Sequence, residues 1–148
     1  MSPLPTASGY LFLFVRRLAA RALHMKGSLH RNFGNQSSFR REHQAALRCF
    51  SRAYALDPNF ARARLDRAIL LWRELGDLEA ALDDFDALLQ ENPANQPALL
   101  NRAMALQENG RYQAALTDLE AYLQLPPENQ EYAAVARRTA ALLRELLG

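Results

Sequence analysis

Three histidines, one cysteine and a run of aspartates are the residues of this chain whose types could do chemistry. His24, His30 and His43 all lie in or beside a basic N-terminal stretch. None makes a His-x-x-x-His or Glu-x-x-His spacing, the arrangement that puts two ligands on one helical face, so no metal site is expected. Cys49 is the single cysteine, which rules out an internal disulfide and any zinc site built from cysteine pairs. Next to Phe50 on an apolar helical pattern, it is expected to be a buried, inert thiol. Asp83, Asp84 and Asp86 look like an acidic cluster, but on a helix they point different ways and no calcium-loop glycine follows. The six glycines are scattered and form no phosphate loop. The expectation is a protein that is not an enzyme and takes no cofactor and no metal.

The elements that would position these residues must be built from 148 residues, 49% of them apolar and 23% charged, the profile of an ordinary soluble domain. The formal net charge of +2 conceals an asymmetry. Residues 1–41 carry Arg16, Arg17, Arg21, Lys26, Arg31, Arg40 and Arg41 and no acid, a charge of +7, and residues 42–148 carry −5. The acidic body argues against nucleic acid as a partner. The apolar run Tyr10–Val15 is too short to span a bilayer. Arg16 and Arg17 follow it, whereas a secretory signal places its charges first. A cytoplasmic location is expected, with a membrane-peripheral or organellar one as the alternative.

Three segments read nearly alike: Ala46-Leu47-Arg48-Cys49-Phe50 with Pro58, Ala81-Leu82-Asp83-Asp84-Phe85 with Pro93, and Ala115-Leu116-Thr117-Asp118-Leu119 with Pro127. The alanines and the prolines are each spaced 35 and then 34 apart. Upstream, Asp66-Arg67-Ala68-Ile69 matches Asn101-Arg102-Ala103-Met104, and Gly76 and Gly110 follow. The second copy holds one extra residue between Ala68 and Gly76, which the turn is expected to absorb. A period near 34 points to stacked helix–turn–helix units. The alanines mark close helix crossings, the glycines left-handed helix ends, and the prolines helix stops. Phe50, Phe85 and Leu119 fill the space between hairpins.

On these residues the chain resembles the tetratricopeptide repeat family, firmly over 39–127 and weakly over 10–26 and 128–148. The resemblance implies an all-α, right-handed α-solenoid of about three hairpins with a C-terminal capping helix. It also implies a protein or peptide partner held in a concave groove lined by the first helix of each hairpin. The groove residues would be Arg62, Leu65, Asp66, Ile69 and Arg73 in one repeat, and Leu100, Asn101, Met104 and Glu108 in the next. A subclass of the family clamps a C-terminal carboxylate. Its lysines are absent here, and Asp66 would set a negative charge where that carboxylate sits, so no clamp is expected. The recurring pairs Arg67 with Asp84 and Arg102 with Asp118 fall on facing sides of a hairpin and are expected to be structural ion pairs.

The two ends are less regular. In residues 128–148, Tyr132, Val135, Thr139, Leu142, Leu143 and Leu146 form one stripe, expected to cover the last repeat, and Arg137 stands where a repeat wants a small residue. Residues 1–38 are expected to contain a helix over 10–26, ended by Gly27, with a Gly/Ser/Asn-rich loop over 27–38 and Ser38 capping the next helix. The helix, with Leu11, Phe14, Val15, Leu18, Ala22 and Met25 on one stripe, reads as the first helix of a complete first repeat. It reads alternatively as a basic interfacial or targeting helix, or as a disordered tail with Met25 as the true start. Self-association through the ends of the solenoid is a further reading.

Overall fold

The computed structural model describes residues 7–148; residues 1–6 of the expected N-terminal segment lie outside the described residues. The described residues hold seven α-helices and no strand. The helices fall into two units, residues 1–76 and 77–148.

In the first unit, α1 (Ala7–Ser37) is one unbroken helix of 31 residues, α2 runs Arg40–Leu56, and α3 runs Ala61–Leu70. The expected stop at Gly27 and the loop over 27–38 are therefore corrected: both are helical. The reason is a close approach that outweighs glycine's poor helix propensity. A Cβ on Gly27 would lie 2.7 Å from Phe50 Cε1, and one on Gly34 would lie 2.5 Å from His43 Cδ2. Ala20, Gly27 and Gly34 recur every seven residues and are all buried, so they form the seam along which α1 packs on α2. The connection is tight, with Ser38 at φ 56°. Ser38 is thus a turn residue and not the expected cap; Phe39 precedes α2 and makes no side-chain cap bond. Phe50, 1% exposed, packs with Ala46 and Leu70, flanked by Leu47 and Leu75.

The extra residue of the second repeat also departs from expectation. Leu71–Leu75 form a π turn that continues α3. The helix itself absorbs the insertion by widening one turn, the usual structural trace of a single inserted residue. It ends at Gly76, φ 72°, and the amide there donates to the Leu71 carbonyl.

In the second unit, α4 (Leu78–Glu91), α5 (Gln96–Glu108), α6 (Tyr112–Gln124) and α7 (Gln130–Leu147) follow in order. Asp77, Asn95 and Asn129 cap α4, α5 and α7, each accepting a bond from the amide three residues on, which satisfies an otherwise orphaned donor. Ala81, Phe85, Ala103, Ala115 and Leu119 are fully buried. Gln96 fastens the loop before α7, its amide donating to the Pro126 carbonyl at 2.8 Å and its oxygen accepting from the Glu128 amide.

The inward face of α7 differs from the expected one. Ala133, Ala136, Ala140 and Leu143 are buried, whereas Tyr132, Val135, Leu142 and Leu146 are exposed. Small residues face α6 because the two helices pack closely. Ala136, next to the exposed Arg137, occupies the place where a small residue was sought.

Gly76 and Gly110 have φ of 72° and 74°, and a Cβ at either would meet nothing within 4 Å. Backbone strain alone is then at stake. Gly76→Ala and Gly110→Ala are each expected to lower stability by about 1 kcal/mol, with asparagine milder than alanine. Urea unfolding followed by circular dichroism measures this, and a neutral alanine at both sites would contradict the left-handed caps.

Candidate ligand-binding surface

The expected groove residues divide between the two units, Arg62 to Arg73 in the first and Leu100 to Glu108 in the second. On α3 and the π turn that continues it, Arg62 and Arg73 are exposed and Ile69 is half-buried. The Arg73 guanidinium stacks on the Trp72 ring, 4.6 Å from its centroid. Leu65 and Asp66 do not belong to an open surface: they are 7% and 6% exposed. Leu65 serves the core. Asp66 Oδ2 accepts from His24 Nε2 at 2.7 Å and from Arg62 Nε at 2.9 Å. A buried carboxylate is stable only with such partners. The charge expected to repel an acidic ligand is thus already engaged within the protein.

The histidines that looked like candidates for chemistry fasten α1. His30 Nδ1 donates to Glu42 Oε2 at 2.8 Å, and His43 Nε2 donates to Asn35 Oδ1 at 2.9 Å, both between α1 and α2. Arg31 adds two bonds to Glu74 Oε1, at 2.8 and 3.0 Å, tying α1 to the π turn. Sequence reasoning missed this set. Its one signal was that a helix without acids must find partners for His24, His30 and Arg31 on other helices. Arg67 donates to Ser51 Oγ at 3.3 Å, and Arg64 lies over the Tyr54 ring at 3.9 Å.

On α5, Leu99, Ala103, Ala105 and Leu106 are buried, Leu100, Asn101 and Met104 are half-buried, and Glu108 is exposed. Asn101 Nδ2 donates to the Pro97 carbonyl of its own helix at 2.8 Å. The Arg102 guanidinium holds Asp118 through two bonds of 2.6 and 2.8 Å and Asp86 through a third of 2.5 Å. Arg102 is raised above its ordinary range, chiefly by the hydrogen bond to Asp118 and against the effect of burial. The ion pair fastens α5 to α6 and to α4. Asp84 is buried and Asp86 exposed, so the three aspartates of α4 do not act as one cluster. A cavity of about 370 Å³ opens beside this network, lined by Leu82, Asp86, Arg102, Leu106, Arg111, Ala114, Thr117 and Asp118. It contains none of Leu100, Asn101, Met104 or Glu108, so this hollow lies away from the expected face. Arg111 at its rim pairs with Glu79. Among the described residues, no three His, Cys, Asp or Glu side chains gather where they could hold a metal ion.

The family profile of the tetratricopeptide repeat matches residues 39–96 and 73–130. The chain belongs to the tetratricopeptide repeat family. Solved tetratricopeptide domains share its fold. The Arabidopsis OM64 TPR domain is 25% identical, covers 88% of this chain and 98% of its own, and superposes with a TM-score of 0.69. The first TPR domain of human RPAP3 is 22% identical over 87% of this chain and 95% of its own, with a TM-score of 0.71. The first TPR of Spaghetti (RPAP3), solved bound to the HSP90 peptide SRMEEVD, is 23% identical over 86% and 94%, with a TM-score of 0.69. No curated protein matches the chain. In tetratricopeptide terms, α1 and α2 are the two helices of the first repeat, α3 and α4 of the second, and α5 and α6 of the third.

Proposed function

We propose that this tetratricopeptide protein is a non-catalytic adaptor that holds a peptide segment of another protein against the half-open face of α5. The observation that carries this is on α5. That helix buries Leu99, Ala103 and Leu106 yet keeps a second, half-open face of Leu100, Asn101 and Met104. Apolar anchors beside an amide suit an extended or helical peptide read by a few side chains, and methionine adapts to varied partners. The peptide-bound first TPR of Spaghetti (RPAP3) is consistent with this use of the fold. On α3, Ile69 offers a similar anchor between the exposed Arg62 and Arg73. With Asp66 engaged internally, the exposed arginines of this face favour an acidic peptide there.

Screening the chain against a peptide array and measuring hits by fluorescence anisotropy tests this. Met104→Ala with Leu100→Ala is expected to weaken the hits about tenfold or more, the effect of removing anchor side chains at a contact centre. Arg62→Ala with Arg73→Ala is expected to weaken acidic hits and to flatten their salt dependence. Equal binding by parent and both variants, with their helicity unchanged, would exclude these faces.

A further inference from the structure

The continuity of α1 creates a surface that neither the repeat packing nor the proposed peptide site uses. Leu11, Phe14, Leu18, Met25, Leu29 and Phe33 recur at spacings of three, four or seven residues, and every one is 55–65% exposed. At about 100° per residue they form one narrow stripe about 33 Å long. It lies on the side of α1 opposite Ala20, Gly27 and Gly34, which face α2. Toward the N-terminus, beyond Ala20, α1 outruns the seam. There Tyr10, Phe12, Leu13 and Val15 are exposed as well, so residues 10–15 are apolar on every side, and Arg16 and Arg17 follow them.

Charge decides the occupant. Residues 1–41 carry seven positive charges and no acid. Arg21 and Lys26, both exposed, project on the two flanks of the stripe, where long basic side chains reach phosphates while their stems lie on apolar surface. Exposed Arg17 lies further round on the Arg21 side. Two such arms from separate copies would repel each other. No described helix is long and apolar enough to cross a membrane, which leaves a helix lying in the interface plane. We infer that α1 docks along its length on an anionic lipid bilayer, with the Leu11–Phe33 stripe in the headgroup–acyl boundary and Arg21 and Lys26 on lipid phosphates. Because α1 is also the first helix of the first repeat, docking would fix the first hairpin against the membrane with no flexible linker between.

Cosedimentation of the full chain with phosphatidylcholine vesicles, with and without phosphatidylserine, tests this. Binding is expected only with phosphatidylserine, and is expected to fall steeply as salt is raised. Leu18→Glu with Met25→Glu changes exposed positions only and is expected to reduce binding at least tenfold while circular dichroism and peptide binding are unchanged. Arg21→Glu with Lys26→Glu is expected to abolish the preference for phosphatidylserine. Absence of binding at low salt, or equal binding to both vesicle types, would overturn the assignment. So would a concentration-dependent dimer in light scattering that Leu18→Glu with Met25→Glu abolishes without any vesicle binding by the parent, which would give the stripe to a second copy.

Discussion

Replacing Gly27 by leucine is expected to lower the unfolding free energy by about 3 kcal/mol. A Cβ at this position would stand 2.7 and 2.8 Å from two carbons of the Phe50 ring and 3.1 Å from Cys49 Cβ. Phe50 is 1% exposed and wedged against Ala46 and Leu70, so the ring has no free space to enter. The helix must move instead, and moving α1 strains the bonds from His30 to Glu42 and from Asn35 to His43. Two effects oppose each other. Leaving glycine in a helix interior gains about 1 kcal/mol of propensity, and overpacking costs about 1–3 kcal/mol, more when backbones must separate. For Gly27→Ala the two nearly balance, and a net loss of about 1 kcal/mol is expected. For leucine the clash wins. Urea unfolding supplies the numbers. The cycle Gly27→Ala with Phe50→Leu isolates the contact: the smaller side chain at 50 should recover part of the alanine penalty, giving a coupling above about 0.5 kcal/mol. A leucine variant as stable as the parent would mean that α1 does not pass this close to α2.

Arg102→Met is expected to cost about 3 kcal/mol and to be worse than Asp118→Ala. The asymmetry follows from burial. The Asp118 side chain is 6% exposed and that of Arg102 23%. Removing Arg102 strands a carboxylate in the protein interior, the expensive way to break such a pair. Removing Asp118 leaves Arg102 bonded to the half-exposed Asp86 and partly in water, at about 1–2 kcal/mol. The double variant Arg102→Met with Asp118→Leu should recover most of the loss, since well-packed apolar side chains replace such pairs at little cost. Thermal and urea unfolding of the four proteins decide it. If Asp118→Ala proves the costlier single change, Arg102 is the group that depends on its partner, and the placement of buried charge is wrong.

The hairpin pattern was legible because it is written three times. Ala46, Ala81 and Ala115, with Ala68 and Ala103, are fully buried. Gly76 and Gly110 are left-handed. A small residue or a glycine at a fixed period has few physical explanations, and repetition removes the ambiguity that any single copy carries. Where a feature occurs once, local rules misled. Gly27 and Gly34 carry the local signal of a helix end, yet the helix runs through them because α2 demands close approach at both places. Nothing near them in sequence states that demand, since Phe50 and His43 lie on the other helix.

Charge and apolar faces at the ends divide in the same way. The sequence by itself determined the class of fold, the repeat length, the helix stops that recur with the repeat and the acid-free N-terminal quarter, all of which follow from local conformational preference, periodicity or counting. Only the tertiary structure decided that Asp66 is closed off by His24, a partner 42 positions away. Likewise it alone showed that α7 turns alanines inward and leaves Tyr132, Leu142 and Leu146 outside, and that α1 presents one long apolar stripe to solvent. Hydrophobicity names which side chains gain by leaving water. Which of them do so depends on how closely two backbones approach, and that distance is set jointly by residues far apart in the chain.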